Sequence, residues 1–314
     1  MSNTVYMMVG IPGSGKSTYA KEISEKFNAK IFSSDEYRKN LLGDEKDQSN
    51  NSLIFDALYK DMSHHLKEVG NAVFDATNIS VKSRRKTFSV LDRLVGKWKY
   101  NSVAVCCIEK IDVCVERDKQ RDRSVGKDVI LRFVWQFEFP QYFEGFNYIG
   151  DAKSVMDGSK YSDFVFSYDP CLRYHFISMM SGFDQKNKHH KYDVLTHSIA
   201  LSDSWKYLDM EMREASLFHD IGKCFTQTID KDGNAHYYHH ANYSAYVVAS
   251  NLGIIRSSSV FNVLFYINQH MHIRDIIKSE KAINRYKELW GEERFNKLIE
   301  FMNNDNRASG REYE

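Results

Sequence analysis

The sequence predicts an α/β domain, a parallel sheet with helices on both faces, followed by an all-α domain. Three observations predict it. Through the first half, short apolar runs alternate with amphipathic helical stretches, as βαβ units require. From about Tyr174 onward helical stretches follow one another and strand-like runs are nearly absent. Ten of the twelve histidines lie at or after His175. A length of 314 residues suits two domains at about 100–200 residues each, and the change of pattern divides them as 1–170 and 171–314.

Each element has its own signal. Thr4–Val9 is apolar and β-rich and ends in Gly10; after a glycine loop, Ser17–Phe27 is helical and Ala29–Phe32 apolar again. Leu53–Val69 carries apolar residues at helical spacing, Ala72–Phe74 suits a buried strand, Arg84–Leu94 a helix, and Ser102–Ile108 a Val/Cys strand. Ile111–Arg121 and Val129–Phe137 read as further helices. The second half offers helices at Val194–Leu208, Glu211–Phe218, Ala241–Leu252, Val260–His270 and Glu292–Met302, with a frayed tail after Asn303.

Composition excludes several classes. With 42% hydrophobic residues, 20 Phe and 19 Tyr, the chain is not disordered. No apolar run reaches the ~18–20 residues that span a bilayer, and the N-terminus lacks a signal peptide's basic start. Five cysteines show neither metal spacing nor the density of a disulfide framework. These features predict a soluble, reduced, cytoplasmic protein. A net charge of +1 excludes a polycationic nucleic-acid coat, while cations still cluster at 82–86, between Arg117 and Arg132, and at Lys186–Lys191. His189 and His190 lie in that last run, on a phosphate-facing loop or an exposed basic turn.

Gly10-Ile11-Pro12-Gly13-Ser14-Gly15-Lys16-Ser17 satisfies G-x-x-x-x-G-K-[ST] between a strand and a helix. Backbone N–H groups of Gly13, Ser14 and Gly15, with the helix N-terminus at Ser17-Thr18, would cradle the phosphates of ATP or another nucleoside triphosphate. Lys16 would reach the β/γ oxygens and Ser17 would ligate Mg²⁺. Asp35 follows the next strand, placed to accept a proton from an attacking hydroxyl or else to cap a helix; Arg38 would hold a substrate phosphate. Asp75, in Phe74-Asp75-Ala76-Thr77-Asn78, suits Mg²⁺ positioning. Among Arg117, Arg121 and Arg123, Arg121 is the choice for stabilising the transferring phosphoryl group.

These elements, with Arg84-Arg85 and the Glu116–Arg123 stretch, resemble the polynucleotide 5′-kinase branch of small P-loop kinases over about the first 150 residues. The resemblance implies that Asp35 deprotonates a 5′-hydroxyl of RNA or DNA, that Arg38 contacts the acceptor phosphate and that Arg121 acts from a lid. Kinases for small alcohols and sugar nucleotides carry versions of the same elements.

In the second half, adjacent His219-Asp220 could ligate one divalent cation. With His197 upstream and Asp305 downstream, the order resembles the HD phosphohydrolase superfamily over roughly 178–310, closest to the HD domains attached to tRNA nucleotidyltransferases. The resemblance implies an all-α fold with His197, His219, Asp220 and Asp305 on one metal, His240 and His270 at a second metal or the scissile phosphate, and Lys223 on substrate phosphate. Mixed His/Asp ligation suits Mn²⁺, Fe²⁺, Co²⁺, Ni²⁺ or Zn²⁺, which would lower the pKa of bound water towards ~7.

Together the halves predict a nucleic-acid end-healing enzyme. It would phosphorylate 5′-OH ends, with RNA (tRNA fragments included) as partner, and remove a 2′,3′-cyclic or 3′-phosphate. Sealing would fall to a separate RNA ligase, since no nucleotidyl-lysine motif is present. The competing readings are a small-molecule or nucleotide kinase fused to an HD nucleotide hydrolase, and a sensor that binds nucleotide without turnover.

Overall fold

The computed structural model describes residues 2–45, 47–158, 164, 166–186, 191–257 and 259–310; His189 and His190 lie outside these. The chain divides into two compact units, 1–133 with 140–165, and 134–139 with 166–314.

The first unit is a five-stranded parallel sheet of β1 (Thr4–Val9), β2 (Ala29–Ser33), β3 (Asn71–Asp75), β4 (Asn101–Cys106) and β5 (Tyr148–Asp151), ordered β2-β3-β1-β4-β5. Its helices are α1 (Lys16–Phe27), α2 (Ser34–Leu42), α3 (Asn51–Glu68), α4 (Val81–Leu91), α5 (Ile111–Lys119), α6 (Lys127–Val134) and α7 (Ala152–Asp157). In the central strand β1, Val5 pairs with Ala72 on one side and Ser102 on the other. Strands covered on both faces need near-continuous apolar sequence, and Val5, Met7, Met8 and Val9 are all fully buried. Tyr6, Met8, Val73 and Val105 pack with Ile23 of α1 and Val155 of α7. Phe74, on the other face, meets Tyr59 of α3 edge-on. The chain leaves β1 towards β2 and later crosses to β4, so strand order reverses at the carboxyl end of β1, where open α/β sheets bind ligands.

Three elements of this unit, α2, β5 and the six-residue α7, escape the pattern reading. Helix α2 begins at once after β2, with Ser33 as its N-cap residue, so Asp35 lies in the first turn and is not the cap. Strand β5 has only four residues, too few to show a period. Helix α5 ends at Lys119, which leaves Arg121 just past it. The expected basic run at 82–86 is interrupted: Arg84 turns inward, fully buried, with a bidentate ion pair to Glu144 at 2.7 and 2.8 Å. Its third bond, to the Asn78 carbonyl at 2.9 Å, secures the loop after β3.

The second unit is helical, built from α8 (Pro170–Met180), α9 (Val194–Asp203), α10 (Met210–Phe218), α11 (Lys223–Thr226), α12 (His240–Ala249), α13 (Val260–Gln269), α14 (Ile273–Ile276), α15 (Glu280–Trp290) and α16 (Glu292–Ala308). A two-residue hairpin, β6 (Thr228–Ile229) with β7 (Ala235–His236), interrupts it. The tail expected to fray after Asn303 is instead the last turn of α16. Asp305, one turn beyond buried Phe301, is itself buried and bonded, so the inward face continues where the apolar pattern stops. Residues 134–139 complete this unit: the Phe137 carbonyl accepts from the amides of Asn242 and Asn268, and the Phe139 N–H donates to Asn268.

Candidate functional sites

The loop between β1 and α1 turns on two glycines in the left-handed region, Gly13 at φ 81° and Gly15 at φ 89°. At Gly13 a Cβ would sit 2.3 Å from the Cys114 carbonyl oxygen, so both conformation and space demand glycine. Gly10 packs against Cys107, and Ser14 is buried behind the loop. Lys16 Nζ donates to the Ile11 carbonyl at 2.8 Å, and the Ser17 hydroxyl donates to Asp75 at 3.0 Å. Burial lowers the Lys16 pKa and raises that of Asp75, while each opposes the other's shift. Burial also pushes the Cys107 thiol up to about 12, so it stays neutral beneath the loop.

A cavity of about 890 Å³ opens here, and Gly13, Gly15, Lys16, Ser17, Thr18 and Asp75 line one side of it. Asp35, Arg38 and Arg121 line it as well, so the residues expected around the transferring phosphoryl group share one space. Arg38 donates to Asp35 at 2.6 Å and to Asn51 at 3.3 Å. Arg123 stands 3.5 Å from Asp35 and 3.0 Å from Glu45. The arginine-bearing loop is pinned by Asp118 of α5, which accepts from the Ser124 hydroxyl at 2.7 Å and from the N–H groups of Val125 and Gly126. Sequence reasoning missed Asn51 and Asp118. The acid six residues before a serine was the only local signal for the latter.

The second site lies inside the helical unit. His197 of α9, His219 and Asp220 just after α10, His240 at the start of α12, His270 just after α13 and Asp305 of α16 converge there, all buried. Asp220 divides the cluster between its two oxygens. Oδ2 lies 3.6 and 3.3 Å from Nε2 of His197 and His219, while Oδ1 lies 3.2 and 3.9 Å from Nε2 of His240 and His270. Asp305 Oδ1 stands 3.0 and 3.5 Å from His197 and His219. Two triads, His197–His219–Asp220 and Asp220–His240–His270, hold their ligand atoms within 4.8 Å of one another.

Tautomer geometry explains what this cluster can hold. Nδ1 of His219, His240 and His270 faces the backbone carbonyls of Ser216, Tyr237 and Ile267 at 2.7–2.8 Å. A carbonyl only accepts, so each Nδ1 donates, and the lone pair of each neutral ring sits on Nε2. Two of those lone pairs meet head-on, with His240 and His270 Nε2 3.2 Å apart, and His219 Nε2 lies 3.3 Å from Nε2 of His197. Such contacts need a cation or a proton between them. Burial favours the neutral rings, yet Asp220 and Asp305 raise His219 to about 10, whereas burial and the neighbouring His219 and His240 hold His270 well below 6.5. Buried imidazoles and carboxylates with fixed tautomers fit transition-metal cations.

The turn that carries Asp220 depends on Gly222, where a Cβ would sit 2.4 Å from the His240 carbonyl oxygen. Lys223 reaches Asp220 Oδ2 at 2.7 Å and Gln185 at 2.8 Å. Arg274 donates to Asp305 at 2.7 Å and to Asn306 at 2.9 Å. Gln185 and Arg274 were not foreseen; Arg274, four residues beyond His270, was the more accessible of the two.

Comparison with known proteins bears on the first unit. Residues 5–140 match a family model described as an AAA domain. Among solved structures, a candidate kinase from Chloroflexus aurantiacus J-10-fl is similar over 38% of this chain and 66% of its own, with 16% identity and a TM-score of 0.34. A sugar kinase from a Janibacter species, in unliganded form, is similar over 50% of this chain and 90% of its own, with 13% identity and a TM-score of 0.37. No curated protein matches the chain. The N-terminal unit carries its P-loop within the region that matches the AAA domain model, and the C-terminal unit is helical. Among the described residues no helix is long and apolar enough to cross a membrane.

Proposed function

We propose that this chain heals broken nucleic-acid ends, phosphorylating a 5′-hydroxyl with ATP in its first unit and removing a 2′,3′-cyclic or 3′-phosphate in its second. The observation that supports the reading is the coexistence of two polar sites in one chain. In one, an acid–arginine pair faces a P-loop; in the other, a carboxylate joins two histidine pairs. The products, 5′-phosphate and 3′-hydroxyl, are what a separate RNA ligase joins.

At the first site Lys16 and the loop N–H groups hold the β- and γ-phosphates. Asp35 takes the proton of the acceptor hydroxyl, whose oxygen attacks the γ-phosphorus as ADP departs. Arg38 exchanges part of its bond to Asp35 for the acceptor's phosphate, and Arg121 neutralises charge on the moving phosphoryl group. Ser17 and Asp75, hard oxygen donors 3.0 Å apart, would hold Mg²⁺.

At the second site His197, His219, Asp220 and Asp305 would hold one cation, and Asp220, His240 and His270 a second, Mn²⁺, Fe²⁺, Co²⁺, Ni²⁺ or Zn²⁺ by donor type. When bound, such cations activate water and offset phosphate charge. Lys223 binds the substrate phosphate, and Arg274 fixes the orientation of Asp305.

A second reading, a small-molecule or nucleotide acceptor, draws on the first cavity: about 890 Å³ has room for a triphosphate and a small acceptor together. One experiment separates them. The protein is given a 5′-OH oligoribonucleotide ending in a 2′,3′-cyclic phosphate, with ATP, Mg²⁺ and Mn²⁺, and products are read by mass. Lys16→Ala should lose only the 5′ gain and Asp220→Asn only the 3′ loss. Unchanged ends alongside continuing ATP hydrolysis would reject the polynucleotide reading.

A further inference from the structure

At the amino ends of β4 and β5, a second concave surface in the first unit is lined by Arg85, Lys97, Trp98, Tyr100, Tyr142 and Phe143 and encloses about 590 Å³. Strands β1 and β4 run parallel in register, Thr4 opposite Asn101, while the P-loop follows the carboxyl end of β1. The two cavities are therefore at opposite ends of a six-residue strand, roughly 20 Å apart at 3.3 Å per residue.

Three features set this surface apart. First, α4 ends in a π-helical turn, Asp92–Gly96, a conformation that is rare and recurs at functional sites. Second, Trp98 follows it in the left-handed region, at φ 67°. A bulky non-glycine residue adopts that region only against strain, and such strain collects at binding sites. The conformation presents the indole outward, 81% exposed, with Lys97 Nζ 5.2 Å from the ring centroid. Third, exposed cations outnumber acids around it: Asp92 and Glu144 also line the surface, and Glu144 is paired with Arg84. Lys82, Arg85, Lys86, Arg93, Lys97 and Lys99 are all exposed. None of the six is ion-paired among the described residues, and Asp92, the one acid in the stretch, already accepts from the Tyr100 hydroxyl at 2.9 Å.

We propose that this surface is a second, non-catalytic binding site for single-stranded nucleic acid, with Trp98 stacking on a base and Arg85 and Lys97 contacting the flanking phosphates. Unpaired cations around an outward-facing aromatic ring match a strand that offers π-faces and phosphates in alternation. An acidic peptide would satisfy the cations and leave the indole without a partner. The inference rests on the polynucleotide reading and adds a site that holds the strand away from the reacting end.

The test is fluorescence anisotropy of a labelled RNA strand of about 12 nucleotides, within the usual range of single-strand sites, titrated with the full chain over a series of salt concentrations. Trp98→Ala should weaken binding roughly 5- to 100-fold, the range that loss of one base–aromatic stack produces. Arg85→Ala with Lys97→Ala should lower the slope of log affinity against log salt by about 1.4, two single-strand phosphate contacts. Trp98→Gly should weaken binding as much while leaving Tm unchanged or raised, because glycine relieves the left-handed strain; a merely structural tryptophan would lower it. Wild-type affinity in Trp98→Ala, or equal displacement of the RNA by polyglutamate, overturns the proposal. Phosphorylation of the same strand, abolished by Lys16→Ala, reports on the polynucleotide reading separately: a wild type that phosphorylates RNA while Trp98→Ala binds it normally loses this inference alone.

Discussion

Lys223 places its ammonium 2.7 Å from Asp220 Oδ2, the same carboxylate oxygen that faces His197 and His219. A buried ammonium and a bound cation compete for that oxygen. Lys223→Met should therefore bind Mn²⁺ as tightly as the parent or several-fold more tightly, measured by calorimetry. Phosphodiester hydrolysis should nonetheless fall by about 10²-fold, the scale on which loss of one charged donor to a developing oxyanion is felt. Reduced metal affinity would show that Lys223 supports the ligands rather than the phosphate.

Because Asp220 addresses the two histidine pairs with different oxygens, ion stoichiometry should follow the ligand removed. The parent should carry two cations per chain by elemental analysis. His240→Ala or His270→Ala should carry one, and Asp220→Asn none. One ion in the parent would reduce His240 and His270 to phosphate contacts.

Arg84 and Glu144 form a fully buried pair, bidentate at 2.7 and 2.8 Å. Arg84→Met alone strands a buried carboxylate and should cost about 3–5 kcal/mol in urea unfolding. Arg84→Met with Glu144→Leu should recover most of that. Equal losses in the single and double variants would place the contribution of Arg84 in its bond to the Asn78 carbonyl instead.

The ammonium of Lys16 has its pKa lowered below 10.5 by burial, with Cys107 and Asp75 opposing. A triphosphate beside it raises that pKa again, so nucleotide binding takes up a proton at any pH between the two values. Affinity should fall as pH rises through the lowered value. Calorimetry in buffers of different ionisation heat measures the uptake directly, and Lys16→Arg, which does not titrate there, should abolish it.

What could be read in the sequence was what depends on spacing along the chain. The glycine loop between β1 and α1 and the order of His197, His219-Asp220 and Asp305 have that property, and the structure brings each set together. What was missed depends on packing. Helix α2 has no apolar stripe of its own, since Ser34 and Arg38 are its buried residues. The helical turn that carries Asp305 looked like a frayed polar tail, because pattern reading counts Asn303–Asn306 as exposed. The inward turn of Arg84 needed Glu144, 60 residues away, and the division of Asp220 between two histidine pairs is a matter of side-chain orientation. No linear pattern encodes that.

The segment 134–139 has a practical bearing on how the two chemistries can be isolated. Its backbone satisfies the side-chain amides of Asn242 and Asn268, and Phe137 packs edge-on against Tyr246 at 5.0 Å. A fragment beginning at residue 166 would contain every histidine and aspartate of the second site and still lack part of its own interior. Ribosomal synthesis meets the same arrangement in time: these six residues leave the exit tunnel well before the helices that will clasp them. Truncation at the apparent boundary would thus yield an unstable piece, and single-residue knockouts in the intact chain are the sound way to assay one half without the other.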